Sequence, residues 1–269
     1  MTRLIPLFLA AAFGMPAAAH EFWISPDDYT IEPQDQLVAE LRVGENFTGG
    51  ASPYLPSRFA RFDLVFDDQV QPVEGRIGDR PALDNPAPAQ GLITVVHQTN
   101  NTMLTYRDWE KFQNFVRHKD FAGALEQHAA RGLPTTGFRE VYSRFGKSLI
   151  AVGDGAGSDR EVGLLTEIVA LANPYTDDMR GGLAVLVLYQ GAPRADAQVE
   201  LFSKSPQGTV GITLHRTDAA GRVTLPVQPG HEYLADAVVL RPVEPQGGDR
   251  DPVWESLWAS LTFMVPSEE

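Results

Sequence analysis

The chain has six histidines and no cysteine, so any transition-metal chemistry must rest on imidazoles, carboxylates and free amines. One histidine has a special position. His20 follows Ala17-Ala18-Ala19, small residues of the kind a signal peptidase reads, and Pro16 ends the apolar run from Leu4 to Met15 behind the basic Arg3. Cleavage before His20 gives that residue a free α-amino group beside its imidazole. The two groups titrate near about 8 and about 6.5, so a metal can displace both protons at neutral pH and close a chelate ring. Nitrogen donors of this kind suit Cu(II), Ni(II), Co(II) and Zn(II).

A second ligand must come from elsewhere in the fold. His128 lies on one face of a short helix with Phe121 and Leu125, and His97 alternates with Ile93 and Val95 along a strand. Both read first as packed histidines. They still rank ahead of His231 as partners for His20, because a ligand needs a fixed, partly enclosed position. The expected metal ligands are therefore His20, His128 and His97. His118 closes a helix, where the helix dipole favours a cation, and His215 alternates away from Ile212 and Leu214 as a solvated strand residue. No His-x-x-x-His pair occurs, so no closed zinc site is legible. The run from Asp154 to Asp159 departs from calcium-loop spacing and reads as a polar turn. Nucleophile elbows, phosphate loops and dinucleotide fingerprints do not occur, and a non-enzymatic role is expected. Arg144 and Lys147 are basic residues in an acidic protein and are expected to pair internally; three positions apart beside an apolar strand, they are also candidates to hold an anion.

The elements that would position these residues are mostly strands. Glycines (24) and prolines (20) punctuate short apolar runs in the manner of an all-β protein. Strands are expected at 37–43, 61–65, 92–96, 148–153 and 164–171. Between them the period changes to that of a helix: Asp108 caps a segment with Trp109, Phe112, Phe115 and Val116 on one face, and a second short helix follows Asp120 and stops at Gly132. This pair, near 108–131, reads as an insertion in a β domain. The Pro/Asp/Gly stretch 173–182 is the expected boundary. Six further strands follow it, with Asp218-Ala219-Ala220-Gly221 as a hairpin loop between two of them. The expected organisation is a signal peptide over 1–19, an N-terminal β domain over 20–175, and an Ig-like sandwich over 180–266.

Charge narrows the partners. With 22 basic against 35 acidic residues the formal net charge is −13, which disfavours nucleic acid and anionic lipid and mildly favours cations. Zero cysteine in an exported chain suits a bacterial periplasm. After signal cleavage no apolar run is long enough to insert in a membrane.

Several short motifs carry a family resemblance. They are Ala19-His20-Glu21-Phe22-Trp23-Ile24 across the expected cleavage site, Arg42 to Phe47, Tyr142 to Lys147, Glu167-Ile168-Val169, Asn173-Pro174-Tyr175, and Trp258 to Phe263. In order and spacing they resemble the DUF4198 family, described as the periplasmic component of ABC-type cobalt or nickel transport systems. The stretch from Val185 to Ala237 also resembles carboxypeptidase-regulatory or transthyretin-like sandwiches, a likeness that implies fold alone. The resemblance implies a metal-binding accessory whose cargo is nickel or cobalt and whose partner is a membrane metal-transport complex. Two other classes stay open. One is a copper enzyme using His20 in a histidine brace; the other is an adhesive or carbohydrate-binding sandwich protein without metal.

Overall fold

The computed structural model describes residues 20–244, 247–248 and 250–267. The expected signal peptide and its cleavage site precede that range, except for His20 itself. Among the described residues no helix is long and apolar enough to cross a membrane.

The chain is mostly β, as the turn-punctuated sequence predicts. It opens with β1 (Glu21–Pro26), β2 (Thr30–Ile31), β3 (Gln36–Glu45), β4 (Thr48–Ser52), β5 (Phe59–Phe66) and β6 (Gln69–Pro72). Next come β7 (Leu83–Pro86), β8 (Gly91–Thr99) and β9 (Thr102–Tyr106), then α1 (Trp109–His118) and α2 (Ala124–Ala130). The long β10 (Phe138–Val152) precedes β11 (Thr166–Ala170), β12 (Leu183–Tyr189), β13 (Ala192–Pro193) and β14 (Gln198–Lys204). The last are β15 (Val210–Arg216), β16 (Arg222–Leu225), β17 (Glu232–Pro242) and β18 (Trp254–Met264). The helical pair forms where its period predicts: Asp108 accepts a hydrogen bond from the Glu110 amide, 3.0 Å, and Gly132 leaves α2 with φ +64°.

A ten-stranded sheet, ordered β15-β14-β17-β18-β10-β8-β5-β6 with β2 and β9 also paired to β10, runs through the middle of the molecule. It takes strands from both sides of the 173–182 stretch, joined where β10 and β18 pair in parallel with Arg144 opposite Trp258. On one face lies the sheet of β11, β12, β13 and β16. Leu149, Leu201, Ala235 and Leu261 meet Ile168, Val185 and Val187 there in an apolar core. On the other face lie the sheet of β1, β3, β4 and β7, with its own core around Ile24, Leu41, Ile93 and Ile150, and the two helices. Phe112, Phe115 and Val116 of α1 pack there with Trp254 and Trp258. The Asp218–Gly221 turn is not a hairpin: β15 pairs with β14 and β16 with β12, so it carries the chain from one sheet to another.

Candidate functional site

Opposed residues in a sheet share a face, and the register therefore selects a site. Arg144 opposes Trp258, Trp258 opposes Val238, Asp236 opposes Ser260, and Glu200 opposes Asp236. Glu140, Tyr142 and Arg144 of β10, Ser256 and Trp258 of β18, Asp236 of β17 and Glu200 of β14 thus all rise toward the helices and β1. An apolar sheet face would ordinarily meet α1. Here it carries charge.

That charge is organised around Lys119, which follows α1 and is buried. Its Nζ lies 2.7 Å from Glu200 Oε2, 2.8 Å from Asp236 Oδ2 and 3.3 Å from Glu21 Oε1, with the Trp258 ring centre 5.0 Å away. Burial alone would lower the lysine pKa, yet the three carboxylates outweigh it and hold the pKa above the ordinary value. The carboxylates respond unequally. Burial pushes Glu21 up to about 7 and raises Asp236, whereas hydrogen bonding from His118 and the Lys119 charge overcome burial and hold Glu200 below its ordinary value. His118 projects from the end of α1 with its side chain 63% exposed and its Nε2 3.1 Å from Glu200 Oε1. That hydrogen bond raises the imidazole pKa. Gln198 braces the corner, its Nε2 donating to the His118 carbonyl at 2.8 Å.

One ligand atom each from Glu21, His118 and Glu200 lies within 4.8 Å of the other two. Ligands held about 2.0–2.2 Å from one ion stand roughly 3–4 Å apart, so a small closure of these side chains makes three donors for a cation. The donor set, one imidazole and two carboxylates, suits borderline divalent ions. Asp236 Oδ1 is buried beside them without a hydrogen-bond partner among the described residues. Three carboxylates face one ammonium, an excess of two negative charges that a divalent ion neutralises.

The ligands expected from sequence stand in separate surroundings. His20 is exposed, with Nδ1 3.2 Å from Glu45 Oε1, and borders a cavity of about 330 Å³ walled by Tyr106, Phe115, Tyr142 and Trp258. Glu140 forms part of that wall; it accepts hydrogen bonds from Tyr106 Oη at 2.8 Å and from Ser256 Oγ, and burial pushes its pKa up to about 7. His97 is buried among Phe22, Phe59 and Phe62. Neither of its ring nitrogens has a partner among the described residues, and burial drives its pKa down to about 3. In His128, Nδ1 accepts from Trp254 Nε1 at 3.0 Å and Nε2 meets the Pro134 carbonyl at 3.1 Å. Both nitrogens of His128 are thus engaged within an aromatic nest. Arg144 and Lys147 do not converge on one anion, because an odd spacing on a strand puts them on opposite faces. Lys147 is clasped by Asp159 at 2.8 Å and Glu167 at 3.0 Å. The charged cluster itself left little sequence signal: Glu21, Lys119, Glu200 and Asp236 are scattered singly, and only His118 at a helix end was visible as a separate feature.

No curated protein matches the sequence. Among solved structures, the chain is similar to a crystal structure of a tetra-tandem repeat in the extending region of a large adhesion protein. Identity is 12%, coverage is 91% of this chain and 49% of that one, and the TM-score is 0.20; the chain spans about half the length of that structure. A family model described as "Domain of unknown function (DUF4198)" matches residues 17–241, most of the chain. The chain belongs to that family.

Proposed function

We propose that the mature protein is an exported, non-enzymatic protein that binds a divalent transition cation through Glu21, His118 and Glu200. The observation that carries this reading is the convergence of those three donors over a buried excess of negative charge. Without a cation the excess is offset by protons on Glu21 and His118, whose pKa values are both raised. A divalent ion replaces those protons, so binding strengthens as pH rises through about 7. The resemblance set out above supports nickel or cobalt as the ion, uptake through a membrane transport complex as its use, and the periplasm as its place. Titration calorimetry with Ni(II) and Co(II), in two buffers of different ionisation enthalpy, tests the site. Proton release is expected, with loss of binding in His118→Ala and Glu200→Gln. Binding that is unchanged in both variants would move the site elsewhere.

A second reading has its own observation. His20 Nδ1 stands 3.2 Å from Glu45 Oε1, and processing before His20 adds the α-amine to that pair. The chelate would then be amine, imidazole and carboxylate. A chain carrying one extra residue ahead of His20 keeps the imidazole and moves the amine out of chelating range, so loss of binding in that protein alone favours this reading. Copper bound there would call for a redox assay with ascorbate.

A further inference from the structure

A cavity of about 420 Å³, which shares Tyr142 and Arg144 with the cavity at His20, has an unusual lining for so acidic a chain. Three other cavities each include at least one carboxylate in their walls. This one includes none, and Arg58 and Arg144 both border it. Neither guanidinium reaches a carboxylate within ion-pair distance among the described residues. Arg144 donates from Nη2 to the His20 carbonyl at 3.4 Å and lies 4.8 Å from the Tyr142 ring centre. Its Nε is buried without a partner among the described residues. Fully buried His97, also without a partner on either ring nitrogen among the described residues, lines the same cavity.

Part-buried Arg144 feels the carboxylates of Asp236 and Glu21 only through space, so an incoming carboxylate gains a contact ion pair there, and the planar fork of the guanidinium matches that group in two parallel hydrogen bonds. The remaining walls are mixed. Phe22, Leu41 and Leu55 supply an apolar side, and Asn101 and Thr102 a polar rim. We propose that this cavity binds a small organic carboxylate, its charged end on Arg144 and Arg58 and its hydrocarbon body against Phe22 and Leu55. The apolar side favours an organic anion over an inorganic one, and the volume lies within the range of small-molecule sites. Glu21 acts on Arg144 through space, but Glu21, His118 and Glu200 do not line this cavity, so the proposal does not require a cation at their site.

Titration calorimetry on the processed full chain tests it, with hexanoate and benzoate as probes against hexanamide, benzamide and inorganic phosphate. The carboxylates should bind roughly tenfold more tightly than their amides, the ratio expected of a charge-assisted hydrogen bond. Phosphate should bind more weakly than either carboxylate. Arg58 is exposed, so Arg58→Gln retains the fold and should weaken carboxylate binding by about threefold or more. Arg144→Lys should weaken it further, and if that variant fails to fold Arg58→Gln decides alone. His118→Ala should leave carboxylate binding unchanged. Amides that bind as well as the acids, phosphate that binds as tightly, no heat at millimolar probe, or no effect of Arg58→Gln would each overturn the proposal.

Discussion

Lys119 and Glu200 lie 81 positions apart in the chain, and their side chains meet at 2.7 Å inside the protein. The lysine comes from the turn after α1 and the glutamate from the first half of β14, so the pair fastens the helices to the central sheet. Removing one partner of a buried pair leaves the other charge uncompensated, at a cost of about 3–5 kcal/mol. Lys119→Met should lower unfolding stability by that order in chelator-containing buffer, read by urea denaturation. The same change removes the competing ammonium and should tighten cation binding. Unaltered stability would mean that the carboxylates do not depend on Lys119.

Glu140 sets a pH dependence of the fold. Burial raises its pKa from 4.5 to about 7, so the folded chain holds this proton more firmly than the unfolded one. Its contribution is full below pH 4.5 and is lost as pH rises through about 7. Over that window the loss is on the order of 3 kcal/mol. Glu140→Gln keeps a hydrogen-bonding side chain and abolishes the titration. Urea midpoints at pH 5 and pH 8 should differ less in the variant than in the native chain. Equal differences would show that Glu140 stays ionised in the fold.

His97 acts with the opposite sign. Burial lowers its pKa from 6.5 to about 3, so stability is full above pH 6.5 and falls as pH drops toward 3. The ring sits among Phe22, Phe59 and Phe62 with no partner for either nitrogen among the described residues. Replacing such a group by an apolar one of similar shape is neutral or stabilising. His97→Phe should therefore match or exceed native stability at pH 7 and lose less of it at pH 5, by thermal unfolding. A destabilised variant with native acid sensitivity would contradict this.

Gly146 lets β1 lie close over β10. A Cβ there would stand 2.7 Å from Phe22 Cε1, and overpacking of that kind costs about 1–3 kcal/mol. Gly146→Ala should be destabilising by that amount, and Phe22→Leu in the same chain should recover part of the loss. Strictly additive effects of the two changes would show that the residues do not press on each other.

The fold class was legible because strand period, turn residues and the helical change at Asp108 are local signals. The topology was not. Parallel pairing of β10 with β18 joins residues more than a hundred positions apart, and nothing in either segment names its partner. The motif Tyr142 to Lys147 shows the limit well. Its spacing suggested that Arg144 and Lys147 act together, but strand alternation sends Arg144 toward the helices and Lys147 to Asp159 and Glu167. In the opening motif His20 and Glu21 are adjacent, yet one is exposed at a cavity mouth while the other is buried against Lys119. The helix end explained His118 well enough that nothing pointed to Glu200, which only the folded sheet brings alongside.

The most direct measurement is anomalous scattering at the nickel edge from crystals of the processed chain soaked in Ni(II) near pH 7.5. A peak is expected about 2.0–2.2 Å from His118 Nε2 and from a carboxylate oxygen of Glu200, with Glu21 turned toward it. A peak at His20 and Glu45 with none at His118, or no ordered peak at all, would contradict it.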